Sequence, residues 1–127
     1  MNINTPISLG ELVDKITILQ IKKQKIKEET KLKNINIELE LLIETLKQTG
    51  LMNQLVDYTL QLQSVNLNLW NCEDVIRDCE RQKLFDSTFV ETARSIYKYN
   101  DQRSIIKKEI NLQFGSTVVE EKSYSEY

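Results

Sequence analysis

Charged side chains that could bind an anion or move a proton are concentrated between residues 70 and 101. Glu73, Asp74 and Arg77 lie in the first half of this stretch, and Arg94 lies in the second. Guanidinium groups bind phosphate and carboxylate through paired hydrogen bonds. A carboxylate can act as a general base or hold Mg²⁺. These residue types predict a site for an anionic small molecule, such as a nucleotide sugar or a phosphate ester.

The same spacing has a purely structural interpretation. Glu73 and Arg77 are four residues apart, and Arg77 and Glu80 are three apart. On a helix such pairs face each other and stabilise it modestly. The carboxylates are therefore either the solvated face of a helix or the polar wall of a cleft beside Trp70, and the spacing fits both interpretations.

The second half of the stretch adds a polar residue at an apolar position. Asn100 continues the apolar stripe that contains Phe89, Ala93 and Ile96. An amide at such a position needs hydrogen-bond partners if it is buried. It either specifies the register of the helices, as in coiled coils, or belongs to a polar pocket. The sequence favours neither.

A short turn, residues 83–86, joins the two helices on which these residues lie. Antiparallel packing across that turn places the C-terminal half of one helix beside the N-terminal half of the next. We predict a binding site there, closed by the C-terminal tail, or else a closed structural network of the same charges. The candidate binding residues are Trp70, Glu73, Asp74, Arg77, Arg94, Tyr97, Asn100, Asp101, Arg103, Lys122 and Tyr124.

Other chemistry is limited by composition. The chain has no histidine, which excludes a Ser-His-Asp triad, and it has no glycine-rich phosphate loop. Cys72 and Cys79, about 10.5 Å apart on a helix, are too distant for a disulfide and are expected to be reduced core thiols. We predict no metal site and no cofactor, and only an enzyme using Glu73 or Asp74 would hold Mg²⁺.

The charge balance and the apolar segments restrict location and partners. The net charge of −2 provides no general attraction to nucleic acid or to an anionic membrane. No apolar run approaches the roughly 18 residues needed to span a bilayer. The N-terminus lacks the basic and apolar segments of a signal peptide. We expect a cytoplasmic protein that binds neither nucleic acid nor membrane.

Three glycines and one proline in 127 residues indicate helices, because sheets need more turn residues. Ser8 and Glu11 form a capping box, flanked by Ile7 and Leu12 at the positions of a hydrophobic staple. The first helix begins there and extends over residues 8–49. It either breaks near residues 28–31, the favoured prediction, or continues as a coiled-coil arm roughly 60 Å long.

Two further helices follow, at residues 53–82 and 87–114, with a tail at 115–127. The first of them carries a heptad pattern from Leu51 to Cys79, typical of lengthwise packing against near-parallel neighbours. The predicted fold is one all-α domain, an antiparallel bundle of three long or four shorter helices. Leu60 and Leu67 lie off the heptad seam and predict a second buried flank, which favours a homodimer.

Four motifs resemble those of a small family of unknown function. They are SLGELVDKITILQIK near the start, then LWxxEDxIRxxE, then FDxxFxxxARxIYxxNDxRxxIKxxIN, and finally GSxxxEEKSYxxY. Only residues 45–66 lack a recognisable pattern. The family resembled occurs in bacteria, often beside surface-polysaccharide glycosyltransferase genes, and in phages of marine bacteria.

The resemblance singles out mainly polar positions, whereas a family that only packs would share apolar ones. A shared polar site is therefore implied. The positions are Glu11, Asp14, Lys15, Trp70, Glu73, Asp74, Arg77, Arg94, Tyr97, Asn100, Asp101, Arg103, Lys122 and Tyr124.

Two functional hypotheses follow. The favoured one is a non-enzymatic binding or adaptor protein, because the sequence lacks a nucleophile–base pair and a metal cluster. The resemblance implies that its partner is a glycosyltransferase or the sugar product of one. The alternative is a small all-α enzyme in which Arg77, Arg94 and Arg103 bind a phosphorylated or nucleotide-sugar substrate.

Overall fold

The computed structural model describes residues 1–127 as an all-helical chain without strands. It is a bundle of four helices, which confirms the predicted fold class. A 3₁₀ turn, Met52–Leu55, leads into the third helix. The helices are α1 (Leu9–Lys25), α2 (Glu29–Gln48), α3 (Val56–Gln82) and α4 (Ser87–Gln113).

The start of α1 uses half of the predicted capping box. The Ser8 hydroxyl oxygen accepts a hydrogen bond from the Glu11 amide at 3.1 Å, and Ser8 is buried. This bond satisfies one of the free N–H groups of the first turn. The Glu11 carboxylate does not return to the cap but forms an ion pair with Lys107, at 2.7 Å. A long-range ion pair has thus replaced the local half of the motif.

The chain leaves the helical conformation between Lys25 and Glu29. Ile26 has extended backbone angles, with φ −89° and ψ 132°, as does Glu28. The continuous arm is therefore wrong, and the interruption, residues 26–28, overlaps the start of the predicted 28–31. No glycine or proline causes it. The turn allows α2 to fold back against α1 and bury Leu39 and Leu46, which stabilises the interruption.

Helices α3 and α4 form an antiparallel hairpin with the most extensive helix contact in the bundle. Lys83 ends α3 in the left-handed conformation, with φ 56°, a region that non-glycine residues rarely adopt. Asp86 caps α4 by accepting a hydrogen bond from the Thr88 amide at 3.1 Å. Cys79 is buried, as predicted, whereas Cys72 is only half-buried. Burial and the neighbouring Glu73 raise the pKa of the Cys72 thiol.

Helix α1 is the central element, because it contacts all three other helices. Its apolar residues join those of α2, α3 and α4 in one core. No helix combines the length and apolar character needed to cross a membrane. The buried apolar residues of this core are Leu12, Val13, Ile16, Leu19, Ile35, Leu39, Leu46, Leu55, Leu62, Val65, Ile106 and Ile110.

The C-terminal tail, residues 114–127, has no regular secondary structure. Gly115 turns the chain after α4. Its φ of 70° is a backbone conformation that glycine adopts readily and that is strained for other residues. The tail then contacts α4 through Lys108–Glu121 and Tyr97–Tyr127. The return of the tail along α4 creates the candidate site.

Candidate functional site

The core contains a buried charge, Asp14 on α1, which has no solvent exposure. The Arg103 guanidinium on α4 binds both oxygens of its carboxylate, with Nε 2.9 Å from Oδ1. The Asn66 amide on α3 donates to Asp14 Oδ1 and to Thr17 Oγ1, each at 2.9 Å. Hydrogen bonding to Asp14 raises the pKa of Arg103. One carboxylate thus joins three helices, and its hydrogen bonds compensate for its burial.

A second buried charge, Lys107, lies one helical turn along α4, with 9% of its side chain exposed. Its Nζ lies 2.7 Å from Glu11, 2.9 Å from Glu120 of the tail and 3.9 Å from Asp14. Burial alone would lower the pKa of Lys107. Hydrogen bonds to Glu11 and Glu120 outweigh that effect, and the pKa is raised. Lys107 therefore stays charged at neutral pH.

Gly10 allows α1 and α4 to approach closely at this level. Its amide donates to Asn111 Oδ1 at 2.7 Å. A Cβ at residue 10 would lie 2.5 Å from the Lys107 carbonyl oxygen and 2.9 Å from Asn111 Oδ1. Neither distance is possible without a shift, and the first involves backbone. Only glycine permits the present spacing of the two helices.

The tail carboxylate of Glu120 completes the polar cluster. It bridges Lys107 at 2.9 Å and Lys122 at 3.0 Å. Hydrogen bonds from Lys107 and then from Lys122 lower the pKa of Glu120 to about 2. Around it lies a recess of about 300 Å³ without a hydrophobic wall. The lining residues are Glu11, Asn100, Arg103, Ser104, Lys107, Glu120 and Lys122.

Beside this polar recess, the tail and α4 enclose a second cavity of about 460 Å³, which we term the tyrosine cleft. Tyr97 and Tyr127 meet edge to face there, with ring centroids 5.3 Å apart. Hydrogen bonding to Asp101 raises the pKa of Tyr127. Asn100 and Lys122 line both cavities, so the two are adjoining. The cleft is lined by Ile96, Tyr97, Asn100, Asp101, Lys122, Tyr124 and Tyr127.

The structure brings together one half of the predicted site. Five of the eleven predicted residues line the tyrosine cleft, namely Tyr97, Asn100, Asp101, Lys122 and Tyr124. A sixth, Arg103, lines the adjoining recess. The tail does close over α4, as expected. The walls are α4 and the tail, however, and not α3 and α4.

The α3 members of the candidate set do not line the cleft, and neither does Arg94, which neighbours the cleft residue Tyr97. Arg77 contacts Glu73 at 3.1 Å and is mostly exposed, and Arg94 contacts Glu91 at 3.0 Å. Asp74 is exposed as well, and Trp70 is half-buried. Four α3 residues of the candidate set, at positions 70, 73, 74 and 77, line neither cavity.

The helical period explains this separation. Glu73 and Arg77 each follow a residue of the heptad seam, Cys72 and Ile76, by one position. One position is about 100° around a helix. These charges therefore point away from the surface on which α3 meets α4. The short turn made the two half-helices neighbours without directing their charges toward each other.

Sequence reasoning did not select five polar residues of the cluster, namely Thr17, Asn66, Lys107, Asn111 and Glu120. Four of them, at positions 17, 107, 111 and 120, stand inside the motifs that suggested a family resemblance. That resemblance was the available signal. Asn66 carried none, because it lies in residues 45–66, and a polar residue beside a seam is common on an exposed helix face.

The expectation for Asn100 is resolved by its position. It is exposed and lines both cavities, so its surroundings are those of a polar pocket. Asn66 and Asn111 are the buried amides that hold neighbouring helices in register. No group of three or more Cys, Asp or Glu side chains is arranged to hold a metal ion.

The sequence model described as "Family of unknown function (DUF6165)" matches residues 3–127. The chain belongs to this family. The DUF6165 match includes α1, α4 and the tail, and hence every residue of the polar recess and the tyrosine cleft. No curated protein and no solved structure matches the chain.

Proposed function

We propose that this DUF6165 protein is a non-enzymatic binding protein that holds a saccharide in the tyrosine cleft. The observation that carries the proposal is the composition of the cleft, three tyrosines beside Asn100 and Asp101. Sugar rings offer C–H faces that pack on aromatic rings. Their hydroxyl groups donate to and accept from amides and carboxylates. The cleft supplies both kinds of surface within one cavity.

The size and accessibility of the cleft support the proposal. Its volume of about 460 Å³ lies within the 300–1,000 Å³ typical of small-molecule sites. Tyr97, Tyr124 and Tyr127 are all exposed. A ligand can therefore reach their rings without unfolding the bundle. A ligand can enter without breaking contacts in the core, because one wall of the cleft is the C-terminal tail.

The resemblance drawn from the sequence motifs supports the same ligand class. Relatives encoded beside surface-polysaccharide glycosyltransferase genes would meet sugar products in the cell. The proposal therefore includes a glycosyltransferase as the protein partner that delivers or receives the saccharide. Binding of the sugar and contact with the enzyme would together constitute the adaptor role.

Binding is preferred over catalysis because of the groups in the cleft. Asp101 is its only side-chain carboxylate, and its interaction with Tyr127 raises the pKa of the Tyr127 hydroxyl. Lys122, the only cation there, contacts Glu120. Arg77 and Arg94, expected to bind an anionic substrate, lie outside the cleft. A general acid and base facing one another are thus not found around this cavity.

The test is a calorimetric and NMR titration of the full chain with neutral hexoses, hexuronic acids, hexose phosphates and nucleotide sugars. We expect at least one saccharide to bind and to shift resonances of Tyr97 and Asp101. Tyr124→Ala should weaken that binding at least tenfold, since it removes an exposed wall of the cleft. Phe85→Ala is the matched control, an exposed aromatic residue at the α3–α4 turn.

Two results would contradict the proposal. One is an absence of saccharide binding at millimolar concentrations. The other is equal binding by wild type and Tyr124→Ala. Turnover of a phosphate ester or nucleotide sugar in the same samples would favour the alternative hypothesis, a small all-α enzyme, over a binding protein.

A further inference from the structure

Three cations and two carboxylates line the polar recess, and a third carboxylate, that of the buried Asp14, lies directly behind it. Arg103, Lys107 and Lys122 face Asp14, Glu11 and a tail residue, Glu120. Two of the carboxylates belong to α1, whose position the core determines. They cannot leave without disrupting the bundle.

Glu120 differs from the other two carboxylates in its support. It stands on a segment without regular structure, and 44% of its side chain is exposed. The tail around it is held by exposed ion pairs, such as Lys108–Glu121. Exposed ion pairs contribute little to stability. Glu120 is therefore the one carboxylate of the recess that can be exchanged.

Removal of Glu120 would leave a cavity with a defined charge. Three cations would face two carboxylates, so the recess would carry a net charge of +1. Lys107 would then have lost one of its two close partners, although its side chain is 91% buried, the complement of its 9% exposure. A buried charge that loses a partner is unfavourable. A monoanion entering the recess would restore the balance.

We infer that the polar recess is an anion subsite in which Glu120 holds the place of the acidic group of the ligand. The acidic group is a carboxylate or a phosphate. The recess adjoins the tyrosine cleft through Asn100 and Lys122. One ligand can thus place a sugar ring on the tyrosines and its anionic group on Lys107 and Lys122. The sugar part of this inference rests on the proposed function.

The low pKa of Glu120 is consistent with this role. A group that titrates at about 2 is fully ionised at neutral pH. The ligand must therefore displace a charged competitor. Removal of the Glu120 charge should therefore strengthen the binding of acidic ligands and leave the binding of neutral ligands unchanged.

The experiment compares Glu120→Gln with wild type, using a neutral hexose, a hexuronic acid and a hexose 6-phosphate. We expect Glu120→Gln to bind one or both acidic sugars at least tenfold more tightly, and the neutral hexose equally. The acid preferred identifies the anionic group. Glu121→Gln is the matched control, because it removes the neighbouring tail charge outside the recess. Equal gains for neutral and acidic sugars would overturn the inference, since they would mean only a looser tail.

Inorganic phosphate separates this inference from the proposed function. Phosphate should raise the melting temperature of Glu120→Gln more than that of wild type or Glu121→Gln. That result supports the subsite even if no saccharide binds to any variant, in which case the proposed function alone fails. Saccharide binding without any effect of Glu120→Gln on acidic ligands would overturn the subsite alone.

A second inference concerns an apolar groove between α2 and α3. Val13 and Ile16 of α1 form its floor, and Val56 and Leu60 of α3 form one wall, around about 230 Å³. Val56 and Leu60 are more than half exposed. Leu67, seven residues after position 60, lies on the same face of α3.

The accessible area of the chain leaves room for an interface with a second copy. The chain exposes 8943 Å², whereas a compact monomer of 14.9 kDa exposes about 7,000 Å². The difference, roughly 1,900 Å², exceeds the roughly 800 Å² per partner of a standard interface. We infer that a second copy of this chain packs its α3 face, residues 56–67, into the groove.

Light scattering during size-exclusion chromatography tests the dimer. Wild type at about 100 µM should run at twice the chain mass. Leu60→Lys should run as a monomer, because it places a charge in the interface. The matched control, Leu112→Lys, alters another leucine that is more than half exposed, on α4, and should stay dimeric. A monomeric wild type, or dimerisation that Leu60→Lys does not weaken, would overturn this inference.

Discussion

Two groups of ion pairs on this bundle use the same residue types in opposite ways. Asp14 and Arg103 are separated by 89 residues, and the aspartate side chain has no exposure. Glu73 and Arg77 are separated by four residues, and the arginine side chain is 72% exposed. The first pair joins α1 to α4, whereas the second remains within α3. Only the first determines where helices lie.

Solvent accounts for the difference. Around an exposed pair, water screens the charges and replaces either partner at little cost. Inside the bundle, removal of one partner leaves the other buried without compensation. In this protein, the charges whose spacing suggested chemistry, such as Glu73 and Arg77, are exposed and pair locally. The charges that build a site are recognised only when distant segments meet.

The largest expected effect is that of Asp14→Ala, which leaves Arg103 and Asn66 without their shared partner. The free energy of unfolding should fall by about 3–5 kcal/mol, a large part of the 5–15 kcal/mol of an ordinary domain. Urea denaturation followed by circular dichroism measures it. The control Glu73→Ala should change the value by less than about 0.5 kcal/mol. Similar losses in both variants would contradict the distinction between the two regions.

Gly10→Ala should separate α1 from α4 where the polar cluster forms. The forced shift costs about 1–3 kcal/mol, reduced by up to about 1 kcal/mol that alanine gains over glycine in a helix. Faster exchange of the residue 10 amide hydrogen should accompany the loss, since its bond to Asn111 is stretched. Gly50→Ala is the control, because Gly50 has open space and a φ of 72°. It should show strain of roughly 1 kcal/mol without the faster exchange at residue 10.

The contribution of Glu120 should depend on pH. Its folded-state pKa is lowered from 4.5 to about 2, so its stabilisation is complete above pH 4.5 and is lost as the pH falls toward 2. The partly exposed position limits the effect to less than about 1 kcal/mol. Urea titrations at pH 7, 4 and 2.5 should show wild type and Glu120→Gln converging at the lowest pH. A constant difference would assign the effect to packing and not to charge.

The smallest expected effect is that of Arg77→Ala. Its ion pair with Glu73 is exposed, so the free energy of unfolding should change by less than about 0.5 kcal/mol. Saccharide binding should be unaltered, because Arg77 lines neither cavity. Arg103→Ala provides the contrast, since it unpairs Asp14. If Arg77→Ala keeps its fold but loses saccharide binding, the result would support the site that the sequence predicted between α3 and α4.

The predicted features that hold are those with local causes. The first helix begins at the Ser8 cap, and α4 begins after Asp86, because each cap bonds to amides two or three residues away. The heptad seam of α3 predicted lengthwise packing, since a repeat of 3.5 residues keeps one face toward a neighbour. The position of the break between α1 and α2 was harder to locate, because burial of α2 and not a breaker residue stabilises it.

The candidate site also has a part that the sequence predicted and a part that it did not. Its α4 residues, Tyr97, Asn100 and Asp101, were predicted from their place on the helix after the short turn and from the family resemblance. Their wall, the tail, was expected to return, but the landing of Glu120 on Lys107 depends on the turn at Gly115 and the level at which α1 crosses α4. Those are properties of the assembled bundle. A pairing between positions 107 and 120 has no local energetic signature from which it could be read.

By itself, the sequence determined the helices, their caps and the local ion pairs, because the energies that decide these act within four residues. The tertiary structure alone decided which charges are buried. Asp14 and Lys107 become core residues only when α1 lies on α4 at Gly10, where a glycine permits contact that any Cβ would prevent. Burial then turns ordinary surface residue types into a polar recess, since a charge without water must be matched by partners that other segments supply.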